Sequence, residues 1–258
     1  MNLVRAELVK LGRSALPWVV GGVCLLVDVF LFAHYTLTGS DAFEPMLVPF
    51  GQLSSLFLGI FMGILNVIPA VLIGCYVGAK DYANRTAASG VHWGGRYRAL
   101  ASKAAATMLV LCLFVVVTGV LGLLLGLVHD TAVAHLDMIR MVEQMCIGVI
   151  AATLIGLLAM TVATVTRSVA VGNLICLIVL LGAMVLPSSV GQLIRLANPL
   201  TFLGTFAAPA FSNLSGLTNV AVSFDSDFAV GQSVVGLVVY AACCAGTLII
   251  VTRFREYR

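Results

Sequence analysis

Leu53–Val77 reads LSSLFLGIFMGILNVIPAVLIGCYV and Ala104–Val128 reads AAATMLVLCLFVVVTGVLGLLLGLV, and neither contains an acidic or basic side chain. Between them, residues 79–103 read AKDYANRTAASGVHWGGRYRALASK, where charge, aromatics and glycine all return at once. A helix needs about 20 mostly apolar residues to cross the roughly 30 Å hydrocarbon core of a bilayer. The two flanking stretches meet that requirement, so the charged segment reads as a loop between two membrane spans.

The same test, applied outward, finds Trp18–Leu37, Met145–Val165, Val169–Val185 and Gly231–Val251. Hydrophobic residues make up 61% of the 258-residue chain and charged residues only 10%, against about a quarter charged in soluble domains. Nearly all the mass is then spans and short connections, which leaves no room for a soluble catalytic domain. The expected fold is an all-α integral membrane protein with six transmembrane helices.

Charge sign fixes the orientation. With the amino terminus inside, Arg5, Lys10, Arg13, Lys80, Arg85, Arg96, Arg98, Lys103, Arg167, Arg253, Arg255 and Arg258 lie on the cytoplasmic side. Of the 14 basic residues only Arg140 and Arg195 fall outside, where Asp41, Glu44, Asp130, Asp137, Glu143, Asp225 and Asp227 are found. The positive-inside rule therefore places both termini in the cytoplasm. The net charge of +3 is explained by orientation and implies no nucleic-acid partner. The seven cysteines fall in or beside spans, where they act as small apolar residues, not as a disulfide framework or zinc site. The first apolar stretch is too long for a cleavable signal and has no small-residue cleavage site after it.

Residues 1–14 place Val4, Leu8, Leu11 and Ala15 at helical spacing, with Arg5, Lys10 and Arg13 elsewhere. That pattern predicts an amino-terminal helix in the cytoplasmic membrane interface; a plain basic flank is the alternative. Gly59 and Gly63, Gly74 and Gly78, and Gly119, Gly122 and Gly126 have the small-residue spacing at which helix backbones approach closely in lipid. Pro69 removes a backbone donor, and a bend is expected near Leu65–Asn66. Residues 186–228 form an extracytoplasmic segment that still carries Leu200, Phe202, Leu203, Phe206 and Phe211. Such aromatics suit short helices on or in the outer leaflet, packed on protein.

Asp28 lies in the first span, and an intramembrane carboxylate is a functional candidate by default. It could serve as a proton or cation site, contact cargo in a pathway together with Asn66, or be a hydrogen-bonded helix contact to Asn66 or Asn173. His129, Asp130, His135 and Asp137 fit no metal template and read as a solvated membrane exit. No G-x-x-x-x-G-K-[ST], H-E-x-x-H or G-x-S-x-G motif is present, so the chain is expected to be non-catalytic.

The inside loop is the remaining signal. Orienting a span takes basic residues alone, yet here Tyr82, Trp93 and Tyr97 stand among them. Exposed aromatics mark contact surfaces, although an interfacial aromatic belt would also account for Trp93 and Tyr97. The run Asp81-Tyr82-x-Asn84-Arg85-Thr86, followed by Gly90, Arg96 and Lys103, resembles the corresponding loop of type-2 permease subunits of ATP-binding-cassette (ABC) exporters. Asp81 stands where many members have Glu, Arg85 where they have Gly, and Gly94-Gly95 where they have an apolar-Pro turn. The six-span plan with an interfacial helix also resembles that family.

The resemblance implies a six-span half-transporter in which residues 1–258 form one permease domain and residues 79–103 carry a cytoplasmic coupling helix. Asp81, Tyr82, Asn84, Thr86, Arg96 and Arg98 would then contact a separate ABC ATP-binding subunit. That subunit would bind ATP and Mg, with no cofactor in this chain. A second permease copy, or a homologous permease, would complete the assembly in membrane lipid. It further implies ATP-dependent export of a hydrophobic or amphipathic substrate (drug, lipid or antimicrobial peptide, with self-immunity among the family's roles) across a bacterial cytoplasmic membrane. An ion-coupled secondary transporter using Asp28 is the alternative, though such proteins usually carry polar spans and an internal repeat. A membrane scaffold or sensor that docks a cytoplasmic partner is a third.

Overall fold

The computed structural model describes residues 3–24, 26, 66–83, 95–129, 138–185 and 230–254. Among them every regular element is a helix: α1 (Leu3–Gly12), α2 (Ala15–Cys24), α3 (Asn66–Ala83), α4 (Arg96–His129), α5 (Met138–Thr166), α6 (Val169–Val185) and α7 (Val230–Phe254). Within these, Tyr97–Leu121, Met145–Thr166 and Gly231–Val251 are long and apolar enough to cross a membrane, and Ala15–Cys24 and Val169–Leu180 are shorter apolar helices. The chain is thus all-helical where it is described, with three helices of membrane-spanning character. Asp28, Asn84, Thr86, residues 130–137 and residues 186–228 lie outside the described residues, as do Gly59 and Gly63.

Two helices run well past their apolar stretches. α4 opens at Arg96, eight residues before the expected span, because Arg-Tyr-Arg-Ala-Leu-Ala-Ser-Lys is rich in strong helix formers. Gly95 precedes it at φ 77°, a conformation open to glycine without a Cβ penalty, and its carbonyl accepts from Ala99 N at 3.1 Å. α3 likewise continues through Lys80, Asp81 and Tyr82. Helical turns therefore flank the expected loop on both sides. Pro69 lies inside α3, and the bend expected near Leu65–Asn66 falls at the edge of the described residues.

α3 and α5 form the most extensive helix pair, and α6 packs on both. The glycine spacing is the reason. A Cβ at Gly74 would run into the Gly156 carbonyl oxygen and lie 2.9 Å from Ala159 Cβ, and one at Gly78 would lie 2.5 Å from the Met160 carbonyl oxygen. Only glycine lets the two backbones come this close, which is how small residues hold helices together in lipid. Gly156 similarly makes room for the Leu111 side chain of α4. Val71, Ile73, Leu111, Ile155, Met160 and Leu180 are almost fully buried around this seam.

Threonine hydroxyls inside the apolar helices are satisfied locally. Thr107, Thr118, Thr161 and Thr164 donate to carbonyls four residues back, at 2.7–3.0 Å. Each side chain thereby avoids an unpaired hydroxyl in a medium without water. Thr164 also reaches across to Gly78 O at 3.4 Å, adding a polar tie to the seam. Among the described residues, Asn173 Oδ1 and Tyr240 Oη are buried with no hydrogen-bond partner; Asp28, an expected partner for Asn173, lies outside the described residues.

α1 and α2 meet at a tight elbow. Arg13 N and Ser14 N bond back to Val9 O and Leu11 O, and the Trp18 indole donates to the orphaned Gly12 carbonyl at 2.8 Å. The face Leu8–Leu11, expected from the spacing, joins the protein core, with Leu11 only 5% exposed. α1 packs against α4, so this apolar face is occupied by protein.

Candidate functional site

The described ends of α1, α3, α4 and α5 meet in a charged junction. Its centre is Asp81, in the last turn of α3 and 7% exposed. A carboxylate there sits at the negative end of the helix dipole, which disfavours it, so it needs cations. Lys103 Nζ, two turns into α4, lies 2.6 Å from Asp81 Oδ2, and Lys10 Nζ of α1 lies 4.0 Å from Oδ1. One carboxylate thus takes a cation from each of two other helices.

Lys10 is shared. It also donates to Glu7 Oε1 at 2.8 Å, one turn earlier in α1. Partial burial pulls its pKa down, but the Glu7 hydrogen bond and the nearby Asp81 and Glu7 charges outweigh this and hold it above the ordinary value of 10.5. The Lys103–Asp81 pair is the better shielded of the two, with side-chain exposures of 16% and 11%, whereas Lys10 is about half exposed.

Aromatic rings from α3 extend the junction. Arg167, between α5 and α6, places its guanidinium over the Tyr82 ring at 5.5 Å, and Lys80 lies over the Tyr76 ring at 4.6 Å. Such cation–π contacts contribute about 0.5–1 kcal/mol at exposed sites and more when desolvated. Ser14, at the elbow, donates to Tyr76 Oη at 2.7 Å. Arg167 has φ 55°, the left-handed region, which costs a non-glycine residue of order 1 kcal/mol. Only two residues separate α5 from α6, and the turn needs that conformation. Ser168 then caps α6, its hydroxyl accepting from Val171 N at 3.4 Å.

The structure brings Asp81 and Tyr82 together with Lys10, Lys103 and Arg167. Arg98 is exposed in the first turn of α4, next to Tyr97 at 53% exposure, and Arg96 opens that helix. Asn66 is the first described residue of α3. Sequence reasoning treated Lys10 and Arg167 only as orienting charges. The short gap between two consecutive apolar runs marks Arg167 as a turn residue in the sequence, but its left-handed backbone and its contact with Tyr82 appear only in the fold. Comparison of the chain with known protein families, with characterised proteins and with solved structures finds no match.

Chemically the junction is a fastening. Its charges are paired, and its rings are stacked under cations. Among the described residues no group of three or more His, Cys, Asp or Glu side chains is arranged to hold a metal. What the arrangement does is tie the end of α3 to the start of α4 across the intervening loop.

Proposed function

We propose that this chain is the membrane-spanning permease subunit of an ATP-driven ABC exporter. In this reading it has six spans and both termini in the cytoplasm of a bacterial plasma membrane. A separate ATP-binding subunit grips the loop between α3 and α4, and a second permease completes the pathway for a hydrophobic or amphipathic substrate. The observation that carries the reading is the buried Asp81–Lys103 pair at 2.6 Å. A loop that only orients spans needs no such clamp. A loop that transmits force to two helices does, because a push on its tip must reach both without being lost in the connection. The resemblance of Asp81-Tyr82-x-Asn84-Arg85-Thr86 to the family's coupling segment supports the same conclusion. ATP would act by binding one packed arrangement more tightly than another.

The test is gentle purification of the chain from its native membrane, with mass spectrometry of what accompanies it. A stoichiometric protein carrying a phosphate-loop ATPase domain, lost on Arg98→Glu, is the expected result. Arg98 is exposed, so this change leaves the junction intact. Absence of such a partner, under conditions that preserve comparable complexes, overturns the reading.

A further inference from the structure

We infer that Asp81 and Tyr82 form a single fastening that makes α1, the start of α4 and the α5–α6 turn respond together, with Arg167 and Lys10 as its positioning residues. The functional meaning rests on the coupling reading above; the mechanical claim does not.

Consecutive residues in a helix point about 100° apart, so Asp81 and Tyr82 face different neighbours. Asp81 receives Lys103 from α4 and Lys10 from α1. Tyr82 receives Arg167 from beyond the end of α5. Three separate pieces of chain therefore close on two adjacent residues. Ser14–Tyr76 at 2.7 Å ties the elbow to α3 one and a half turns earlier, and Thr164–Gly78 at 3.4 Å ties α5 to the same turn. If α3 shifts at its end, every one of these contacts moves with it.

Arg167 is the informative member. Asn or Gly would take the left-handed position at less cost, and the structure instead has a long cationic side chain there, stacked on Tyr82. Non-glycine residues held in this region persist where the surroundings over-determine them, and they cluster at switch points. The backbone preference and the side-chain contact pull in opposite directions, which makes them separable by mutation.

The experiment is hydrogen exchange on the full chain in lipid nanodiscs, comparing wild type with Arg167→Gly, Arg167→Lys and Asp81→Asn. Arg167→Gly supplies the residue best suited to φ 55°. A merely structural turn predicts unchanged or slower exchange confined to residues 164–172. The fastening predicts faster exchange, about threefold or more, in residues 3–12 and 79–83 as well. Arg167→Lys retains the charge but loses the flat stacking surface, and is expected to fall between the two. Asp81→Asn is expected to loosen 3–12 and 96–104; should it fail to fold, Arg167→Gly decides alone. A response confined to the turn overturns the proposal. Exchange needs no partner subunit, so an absent ATPase would sink the transport reading without touching this result. A captured ATPase with unaltered exchange in residues 3–12 and 79–83 would do the reverse.

Discussion

α5 and α7 have nearly the same length of apolar helix and almost the same mean hydropathy, yet half of the α5 span is buried and only 11% of the α7 span is. α5 is in contact with α3, α4, α6 and α7, while Val234, Val235, Val238, Val239, Ile249 and Ile250 of α7 are exposed. Hydropathy places both helices in the same solvent and does not rank them. What separates them is residue size along one face. α5 offers Gly156, Ala159 and Ala163 to the glycines of α3 and α6, whereas at Gly231 and Gly246, two of the three glycines of α7, a Cβ would meet nothing within 4 Å among the described residues. In lipid, where apolar surface gains little from meeting other apolar surface, backbone approach decides the centre of a bundle.

The largest test of that contrast is Gly74→Leu. The added side chain has the Gly156 carbonyl in its way, and overpacking a backbone contact should cost about 3 kcal/mol or more. Unfolding midpoints in detergent will read this as a large fall or as loss of a single monodisperse species. A mild effect would mean that α3 and α5 can slide apart cheaply, and the seam would lose its central place.

Next in size is Asp81→Ala. It strands a mostly buried Lys103, and since that lysine keeps some exposure the expected loss is about 2 kcal/mol, below the value for fully buried pairs. Exchanging the pair, Asp81→Lys with Lys103→Asp, should restore most of the stability, because the ion pair forms again and the lysine then sits at the C-terminal end of α3, which the helix dipole favours. No restoration would assign the effect to packing instead of charge.

A smaller effect is expected from Lys10. Its pKa stands above 10.5 in the folded chain, so its contribution is fully present below pH 10.5 and fades as pH rises through the folded value. The groups facing it are Glu7 and Asp81, with Lys103 on the far side of the carboxylate. The stability difference between wild type and Lys10→Met should therefore be constant from pH 7 to 9 and shrink above pH 10.5. A difference that does not change with pH would leave only the packing of the lysine stem.

The smallest is Gly246→Leu, expected to lie within about 0.5 kcal/mol of wild type. A loss rivalling Gly74→Leu would show that α7 has a close neighbour in the membrane, and the comparison between α5 and α7 would then hold only for the isolated chain.

Much of this was legible beforehand, for identifiable reasons. As a helix α6 has the expected bounds, although it is among the shorter apolar helices, and α7 extends its expected span by only a few residues, because apolar runs bounded by polar residues mark both ends. Gly74–Gly78 and the Leu8–Leu11 face were readable from spacing, since both are local. The long ends of α3 and α4 were missed because hydropathy falls where charge begins, whereas helix propensity does not. Asp81 and Lys103 were each singled out but could not be paired, being 22 residues apart across a loop. Arg167 carried no pattern in its type; its role depends on a backbone conformation and on Tyr82, which only the fold brings near.

The 34 residues of α4 have a consequence beyond packing. At 1.5 Å per residue the helix is about 51 Å long, much more than the roughly 30 Å of a hydrocarbon core. Such a rod works as a lever: a tilt of about 10° around its midpoint moves either tip by about 4 Å, by the same length. A small displacement at Arg98 would then reappear, reversed in direction, at the far end of the helix near His129.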